Sequence, residues 1–218
     1  MRLSRRTEFY SVLLRFFLMS LRNWVKPSFS MLPILQICEE LKRITTINLE
    51  SSFMAKLDQY CPKLMELVSS RRGAAKMKIN QKKGTTLEDH TIERRREVAI
   101  RCMVVYLGEK EEDLFKEYVD GEDMSKALAG EVMKIMVNKA ARTSDPASAT
   151  ILIEATEVLR GLDLPRACAL LMGLIYALNL SYPRQLRHTF EVFQKLLLEL
   201  DGLKASPKVM SLKQKLLS

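Results

Sequence analysis

The sequence has few of the residues on which common catalytic and metal sites depend. It contains two histidines, His90 and His188, and four cysteines, and no C-x-x-C pair occurs. Neither histidine has the spacing to a cysteine that zinc sites use. The phosphate-binding loop G-x-x-x-x-G-K-[ST], the fingerprint G-x-G-x-x-G and the elbow G-x-S-x-G are also absent. We therefore expect no enzymatic activity, no cofactor, no metal and no catalytic residues.

Proline and glycine are also scarce. Seven prolines and eight glycines in 218 residues are too few for a low-complexity chain, and the 47% hydrophobic content is enough to bury a core. The four cysteines are widely spaced among apolar residues. This pattern favours reduced core thiols of an intracellular protein over a disulfide framework, so we expect a cytoplasmic or nuclear protein.

Residues 1–33 lack the unbroken apolar stretch of a signal peptide or a membrane span. The apolar run from 9 to 25 is interrupted by Arg15 and Arg22. The arginine-rich start matches a mitochondrial presequence in composition, but Glu8 and the scattered arginines favour a hydrophobic docking helix. We interpret 1–33 as an atypical N-terminal extension and expect no membrane span.

Apolar residues recur at helical spacing over much of the chain. In residues 34–70 they follow the i, i+3, i+4, i+7 pattern in two helices, and Pro62 is expected to kink or restart the second. Another helix is predicted to begin at Asp89 or Thr91 and to end before Gly108. A short acidic helix should follow, with an inner side formed by Leu114, Phe115, Tyr118 and Val119.

The C-terminal domain, residues 89–218, is predicted to be mainly helical with a short strand pair. The apolar stretches 132–137 and 149–158 indicate two paired strands. The run 167–178 is apolar on all sides, and its twelve residues are too few to cross a bilayer, so it is predicted to be the central core helix. The expected fold class is mainly α, with two helical parts and a small β element in the C-terminal half.

The two helical parts are separated by a basic stretch, residues 71–88, which we interpret as a linker. The net charge of +9 comes from the first half of the chain, since residues 1–50 carry +4, residues 51–107 carry +6 and the remainder carries −1. A group of basic residues in and after the linker is a candidate phosphate-binding or partner-binding surface. Its members are Arg71, Arg72, Lys76, Lys78, Lys82, Lys83, Arg94, Arg95 and Arg96.

The basic tract at 71–83 fits both a solvated linker and a site that binds phosphate. No aromatic residue occurs between Ser69 and Met103, so the tract supplies no stacking platform for bases. Any nucleic-acid binding would therefore be weak, salt-dependent and non-specific. The same tract also matches a nuclear-localisation patch.

Two further polar features are predicted to face solvent. His188 lies near Arg184 and Arg187, which suggests a solvated histidine on the outer side of a helix. The run of acids after Gly108 is predicted to be a solvated helix start and not a cation site. Its members are Glu109, Glu111, Glu112 and Asp113.

Several stretches resemble the C-terminal region of the sterile alpha motif domain-containing protein three-like family. They are ITTINLESSFMAKLDQYCPKLMELV, RRREVAIRCMVVYLGE, and ALLMGLIYALNLSYPRQLRHTFEVFQKLL followed by SPKVMSLKQKLL. The resemblance runs from about Ile34 to the end of the chain. It implies no functional residues, and residues 1–33 do not resemble the N-terminal interaction module that gives the family its name, which leaves open a truncated form.

The absence of catalytic motifs and the family resemblance together predict a non-enzymatic protein-interaction module of unknown pathway. The alternative is a nucleic-acid-associated regulatory protein that binds phosphate through the basic linker. The protein partner is not identified by the sequence, and self-association into a homo-oligomer stays open.

Overall fold

The computed structural model describes residues 31–70, 91–118, 132–138, 148–154, 156–201 and 204–218. These residues form six α-helices and a four-stranded sheet, which confirms the prediction of a mainly α fold with a small β element. The helices are α1 (Met31–Thr45), α2 (Leu49–Ser69), α3 (Ile92–Tyr106), α4 (Leu164–Ala177), α5 (Arg187–Val192) and α6 (Pro207–Leu217). The strands are β1 (Phe115–Tyr118), β2 (Met133–Asn138), β3 (Ala149–Ile153) and β4 (Thr156–Leu162).

Shorter elements complete the described chain. The turns Glu111–Asp113 and Arg184–Leu186 are 3-10 helices, and a π-helical turn, Phe193–Leu197, continues α5. The N-terminal extension before Met31 and the predicted linker at 71–88 lie outside the described residues.

Helix α4 is the central helix of the core, as its apolar sequence predicts. From Leu164 to Ile175 every side chain except that of Arg166 is buried. A Cβ atom at Gly173 would lie 2.6 Å from side-chain carbons of both Ile37 and Leu49. Only glycine therefore allows α1 and the start of α2 to approach α4 this closely.

The helices on either side of residues 71–90 contribute to one hydrophobic core. Buried side chains from α1 and α2 belong to the same cluster as those of α3, α4 and α6. One specific contact is an edge-to-face pair in which the ring centroids of Phe53 and Phe193 lie 5.3 Å apart. This pair joins α2 to the π-helical turn and contributes about 0.5–1.5 kcal/mol beyond its buried area.

The sheet has the order β1-β2-β3-β4. Strand β1 runs parallel to β2, and the other neighbours are antiparallel. Strands β2 and β3 are buried along their whole length and pack on α4. The predicted strand pair is confirmed as β2 and β3, but the second predicted strand is in fact two, because Glu154, with φ of 49°, turns the chain back into β4.

The predicted short acidic helix is wrong. Its first residues form only the 3-10 turn Glu111–Asp113, and Phe115–Tyr118 is strand β1. The amide of Ile135 donates to the carbonyl oxygen of Leu114 at 2.8 Å, and Phe115 pairs with Ile135 in the register of the sheet. Pairing with β2 and burial of an aromatic side chain outweigh the helical preference of the acids.

Helix boundaries agree with the local signals in several places. The Thr91 hydroxyl accepts from the amide of Arg94 at 3.3 Å and starts α3, and Gly108, with φ of 70°, follows its end. Asp163 caps α4 through the amide of Arg166 at 2.8 Å. Helix α2 is continuous through Pro62, so it does not restart there.

Candidate functional site

Six of the nine basic residues proposed for phosphate or partner binding lie outside the described residues. They are Arg71, Arg72, Lys76, Lys78, Lys82 and Lys83. The other three lie in the first turn and a half of α3, where successive side chains point in different directions. Their charges therefore do not form a single patch.

Two of these three arginines hold ion pairs. Arg94 donates to Glu97 at 2.7 Å, and Arg96 donates two hydrogen bonds to Asp58 at 2.8 and 2.5 Å. The second pair links α3 to α2, and its hydrogen bonds raise the pKa of Arg96. Arg95 is exposed and has no carboxylate partner among the described residues, so it alone offers an uncompensated charge to a ligand.

A buried ionic network lies one turn further along α3. Arg101 is only 5% exposed, and its Nε donates to Glu97 at 2.9 Å. Its Nη1 lies 3.4 Å from Glu111, and its guanidinium lies 5.1 Å from the ring centroid of Phe115. The network therefore fastens the 3-10 turn and β1 to α3. The i, i+4 spacing of Glu97 and Arg101 is visible in the sequence, but its burial is not.

His188 is not a solvated histidine, in contrast to the prediction. Its side chain is only 12% exposed, and Nδ1 lies 3.3 Å from the Ser206 hydroxyl oxygen. Its Nε2 accepts a hydrogen bond from Nε of Arg187 at 3.2 Å. The prediction failed because α6, which follows in the sequence, folds back over the side of α5 that carries His188.

The acidic run after Gly108 is also not a solvated helix start. The carboxylate of Glu109 accepts hydrogen bonds from the amides of His188 and Thr189 at 2.8 and 2.9 Å. It therefore caps the first turn of α5, where amides lack partners within the helix. Since the two segments are about 80 residues apart, local sequence patterns could not show this contact.

The second carboxylate of this region joins α5 to α6. Glu191 accepts from the amide of Ser206 at 2.6 Å and from Lys195 at 3.0 Å. Lys195 also donates to the carbonyl oxygen of Lys204. We call this set of contacts between His188, Glu191, Lys195 and Ser206 the α5–α6 lock.

The lock contains a serine, a histidine and a glutamate, but its geometry differs from a catalytic triad. A triad places the serine at one ring nitrogen and the acid at the other. Here Ser206 and Glu191 both face Nδ1 of His188, at 3.3 and 3.8 Å. Because Nε2 accepts from Arg187, Nδ1 carries the proton and cannot remove one from the serine hydroxyl.

The lock makes stability depend on pH. Burial by itself raises the pKa of Glu191, but the hydrogen bonds from Ser206 and Lys195 outweigh it and hold the pKa below its usual 4.5. A carboxyl group with a lowered pKa in the folded state stabilises the fold above its unfolded pKa, and this stability is lost as pH falls through the folded pKa. Replacing Glu191 by glutamine should therefore reduce the loss of unfolding free energy between about pH 5 and about pH 3.

This dependence can be measured by urea unfolding over that pH range. Glu66→Gln is a suitable control because the Glu66 side chain is 71% exposed on α2, and it should leave the slope of stability against pH near that of the parent. If the slope of stability against pH is unchanged in the Glu191→Gln variant, the lock does not bind the carboxylate form of Glu191 more tightly than its protonated form.

An open groove of about 590 Å³ lies between α1 and the end of α4. This volume is in the range of small-molecule sites. Its lining consists of Gln36, Ile37, Glu39, Glu40, Arg43, Ala177 and Leu178. Because Ile37 is fully buried and Ala177 and Leu178, at the end of α4, are half-buried, the groove has an apolar base and a polar rim. We call it the α1–α4 groove.

The rim of the α1–α4 groove carries an uncompensated negative charge. Arg43 donates two hydrogen bonds to Glu40, at 2.9 and 2.6 Å, and lowers the pKa of that carboxyl. Glu39 is exposed and has no cationic partner among the described residues. The C-terminal end of α4 adds partial negative charge. Leu35, half-exposed and one turn before Glu39, extends the apolar surface beside the groove.

The cysteines offer no reactive thiol in the described residues. All four are free, and Cys61, Cys102 and Cys168 are buried. Burial, with a contribution from Glu50, raises the pKa of Cys38 to about 11. Its thiol is therefore protonated at neutral pH and is a poor nucleophile and metal ligand.

Within the described ranges, no group of three or more metal-ligating side chains lies close enough together to hold an ion, and no helix has the length and apolar character to cross a bilayer. Comparison of the chain with protein-family models, with curated proteins and with solved structures found no match.

Proposed function

We propose that this chain is a non-enzymatic protein-interaction module that acts in the cytoplasm or nucleus. The observation that carries the proposal is the α1–α4 groove, which has an apolar base and a rim with a carboxylate, Glu39, that has no cationic partner within the described part of the chain. Such a surface suits a partner segment with one apolar anchor side chain flanked by lysine or arginine. The resemblance of residues 34–218 to the sterile alpha motif domain-containing protein three-like family supports the same function.

The roles of the other polar side chains support this proposal. Glu109, Glu191, Asp58 and Glu97 each join two elements of the fold or neutralise a neighbouring arginine. Side chains that hold elements together in this way are not available for proton transfer to a substrate. Reproducible turnover of a substrate that a point substitution abolishes would contradict a non-enzymatic function.

The groove can be tested with short labelled peptides. We would measure fluorescence anisotropy of peptides that carry a single leucine or phenylalanine between lysines and arginines. A matched set would have glutamate at the basic positions. The cationic set should bind, and Glu39→Lys should weaken its binding about tenfold, which corresponds to about 1.4 kcal/mol. The acidic set should not bind the parent.

Glu66→Lys provides the matched control for that experiment. It makes the same change of net charge at an exposed position of α2, where the Glu66 side chain is 71% exposed. The control should retain cationic-peptide binding within about twofold, since distant surface charges are largely screened at physiological salt. Equal binding by the parent and the Glu39→Lys variant would reject the groove as the binding surface.

The second candidate function is the binding of nucleic-acid phosphates. The specific observation in its favour is that Arg95, exposed and without a carboxylate partner in the described part of the chain, lies near the basic tract at 71–83 in the sequence. Since Arg94 and Arg96 are paired with Glu97 and Asp58, this function depends chiefly on the tract itself.

A charge-neutralised tract tests this second function. Changing the six basic residues between 71 and 83 to glutamine should abolish binding to duplex and single-stranded nucleic acid at low salt. For the parent, the logarithm of the binding constant should fall linearly with the logarithm of the salt concentration. The slope should steepen by about 0.9 for each phosphate contacted on duplex DNA. A control that neutralises six other basic residues should retain binding. Its positions are Lys110, Arg184, Lys204, Lys208, Lys213 and Lys215. No binding by the parent at physiological salt would reject this function.

A further inference from the structure

Ser206 has a sequence context that no other serine or threonine of this chain shares. It is followed by Pro207, and the other six prolines follow Lys, Leu, Cys, Asp, Leu and Tyr. A serine directly before a proline is the minimal acceptor sequence of proline-directed protein kinases. The chain therefore has one such acceptor, which makes its modification easy to assign.

Ser206 lies immediately before the first residue of α6. Its φ of −60° and ψ of 153° are extended, as is usual for a residue before proline. Ser206 is half-buried, and Pro207 and Lys208 are exposed. Its hydroxyl makes no capping hydrogen bond to α6 and instead lies 3.3 Å from Nδ1 of His188. The hydroxyl also contributes a hydrogen bond to Glu191, so the acceptor oxygen contacts two side chains of the lock.

We propose that Ser206 is a phosphorylation site whose phosphoryl group opens the α5–α6 lock. A kinase would transfer the γ-phosphoryl group of ATP to the serine oxygen. A new O–P bond forms, the bond to the leaving ADP breaks, and the hydroxyl proton passes to the base of the kinase. The phosphoserine then carries a charge of about −1.5 to −2 at neutral pH.

This charge would appear beside a carboxylate. The amide of Ser206 donates to Glu191 at 2.6 Å, and the side chain of Glu191 is only 11% exposed. A phosphoryl group on the side chain of the same residue would lie close to this carboxylate, and two anions partly shielded from water repel each other strongly.

Helix α6 depends on the lock because its own packing is small. Only Val209 and Leu212 are buried in this helix of 11 residues. Loss of the contacts of Ser206 with His188 and Glu191 would therefore loosen α6 and expose these two apolar side chains. Opening would also uncover the side of α5 against which α6 packs.

The test is phosphorylation of the full chain by a proline-directed kinase with ATP, followed by mass spectrometry and amide hydrogen exchange. We expect one phosphoryl group, at Ser206, and at least tenfold faster exchange in residues 207–217, with exchange in the central strand β3 unchanged. The Ser206→Ala variant should incorporate no phosphate, which confirms the position of the modified residue. A synthetic peptide of residues 201–212 shows that the kinase accepts the local sequence.

A further variant separates electrostatic opening from a general effect of modification. In the Glu191→Gln background the phosphate no longer meets the Glu191 carboxylate, so phosphorylation should accelerate exchange in α6 much less than in the parent. Phosphorylation of the peptide without phosphorylation of the full chain would overturn the proposal. Exchange in α6 that is unchanged or slower after phosphorylation at Ser206 would overturn it as well.

Discussion

Replacing Leu174 by aspartate is expected to lower the free energy of unfolding by about 3–5 kcal/mol. Leu174 lies in the central helix α4 with no exposed surface. Its replacement would remove an apolar side chain from the centre of the core and bury a carboxylate that has no cationic partner. Urea unfolding followed by circular dichroism measures the effect through the shift of the midpoint.

Leu217→Asp is the control for that substitution. Leu217 is in the last turn of α6 and is 62% exposed, so an aspartate there remains hydrated and should change stability by no more than about 0.5 kcal/mol. A Leu174→Asp variant that unfolds at the same urea concentration as the parent would show that α4 is not at the centre of the core.

Removing the carboxylate of Glu97 is expected to lower the free energy of unfolding by a similar amount. Glu97 accepts from Arg94 at 2.7 Å and from Arg101 at 2.9 Å, and both it and Arg101 are nearly fully buried. Glu97→Ala leaves the Arg101 charge with its weaker partners Glu111 and Glu117, at 3.4 and 3.6 Å. Breaking a buried pair by removing one partner lowers stability by about 3–5 kcal/mol.

The same network predicts that stability is partly recovered when both buried charges are removed. Replacing Glu97 and Arg101 together, by Leu and Met, removes both buried charges, and this double variant should be more stable than Glu97→Ala alone. Glu66→Ala, at an exposed ion pair with Lys63, should change stability by less than about 1 kcal/mol. If Glu97→Ala loses no more stability than Glu66→Ala, then Arg101 finds other partners or water when Glu97 is removed.

Sequence patterns predicted the elements whose stability comes from local signals. The run 167–178 predicted α4 because a helix that is apolar all round must be buried. Thr91 and Gly108 marked the ends of α3 because capping and positive φ act within one turn. The alternating and β-branched residues of strands β2 and β3 predicted these two strands. The same patterns do not predict the four-stranded sheet.

The errors arose where distant parts of the chain meet. Strand β1 follows three acids that resemble a helix start, and it becomes a strand only because β2 pairs with it from 20 residues further along. The hairpin between β3 and β4 turns at Glu154, a residue type that does not signal positive φ. His188 stands beside exposed arginines in the sequence, and only the return of α6 covers it.

The candidate groove could not have been predicted for the same reason. Its two walls come from α1 and from the end of α4, which are more than 130 residues apart in the chain. Glu39 and Glu40 lie on the outer side of α1, and from the sequence alone this side is only solvated surface until Ala177 and Leu178 are placed beside it.

The most direct test of an interaction function at the α1–α4 groove is an NMR titration of the isotopically labelled chain with the cationic peptide that binds it most tightly. If the groove is the binding surface, the backbone amide shifts of Gln36, Glu39, Glu40, Ala177 and Leu178 should change together and saturate with one affinity. Shift changes confined to other surfaces, with these five amides unmoved at saturation, would contradict it.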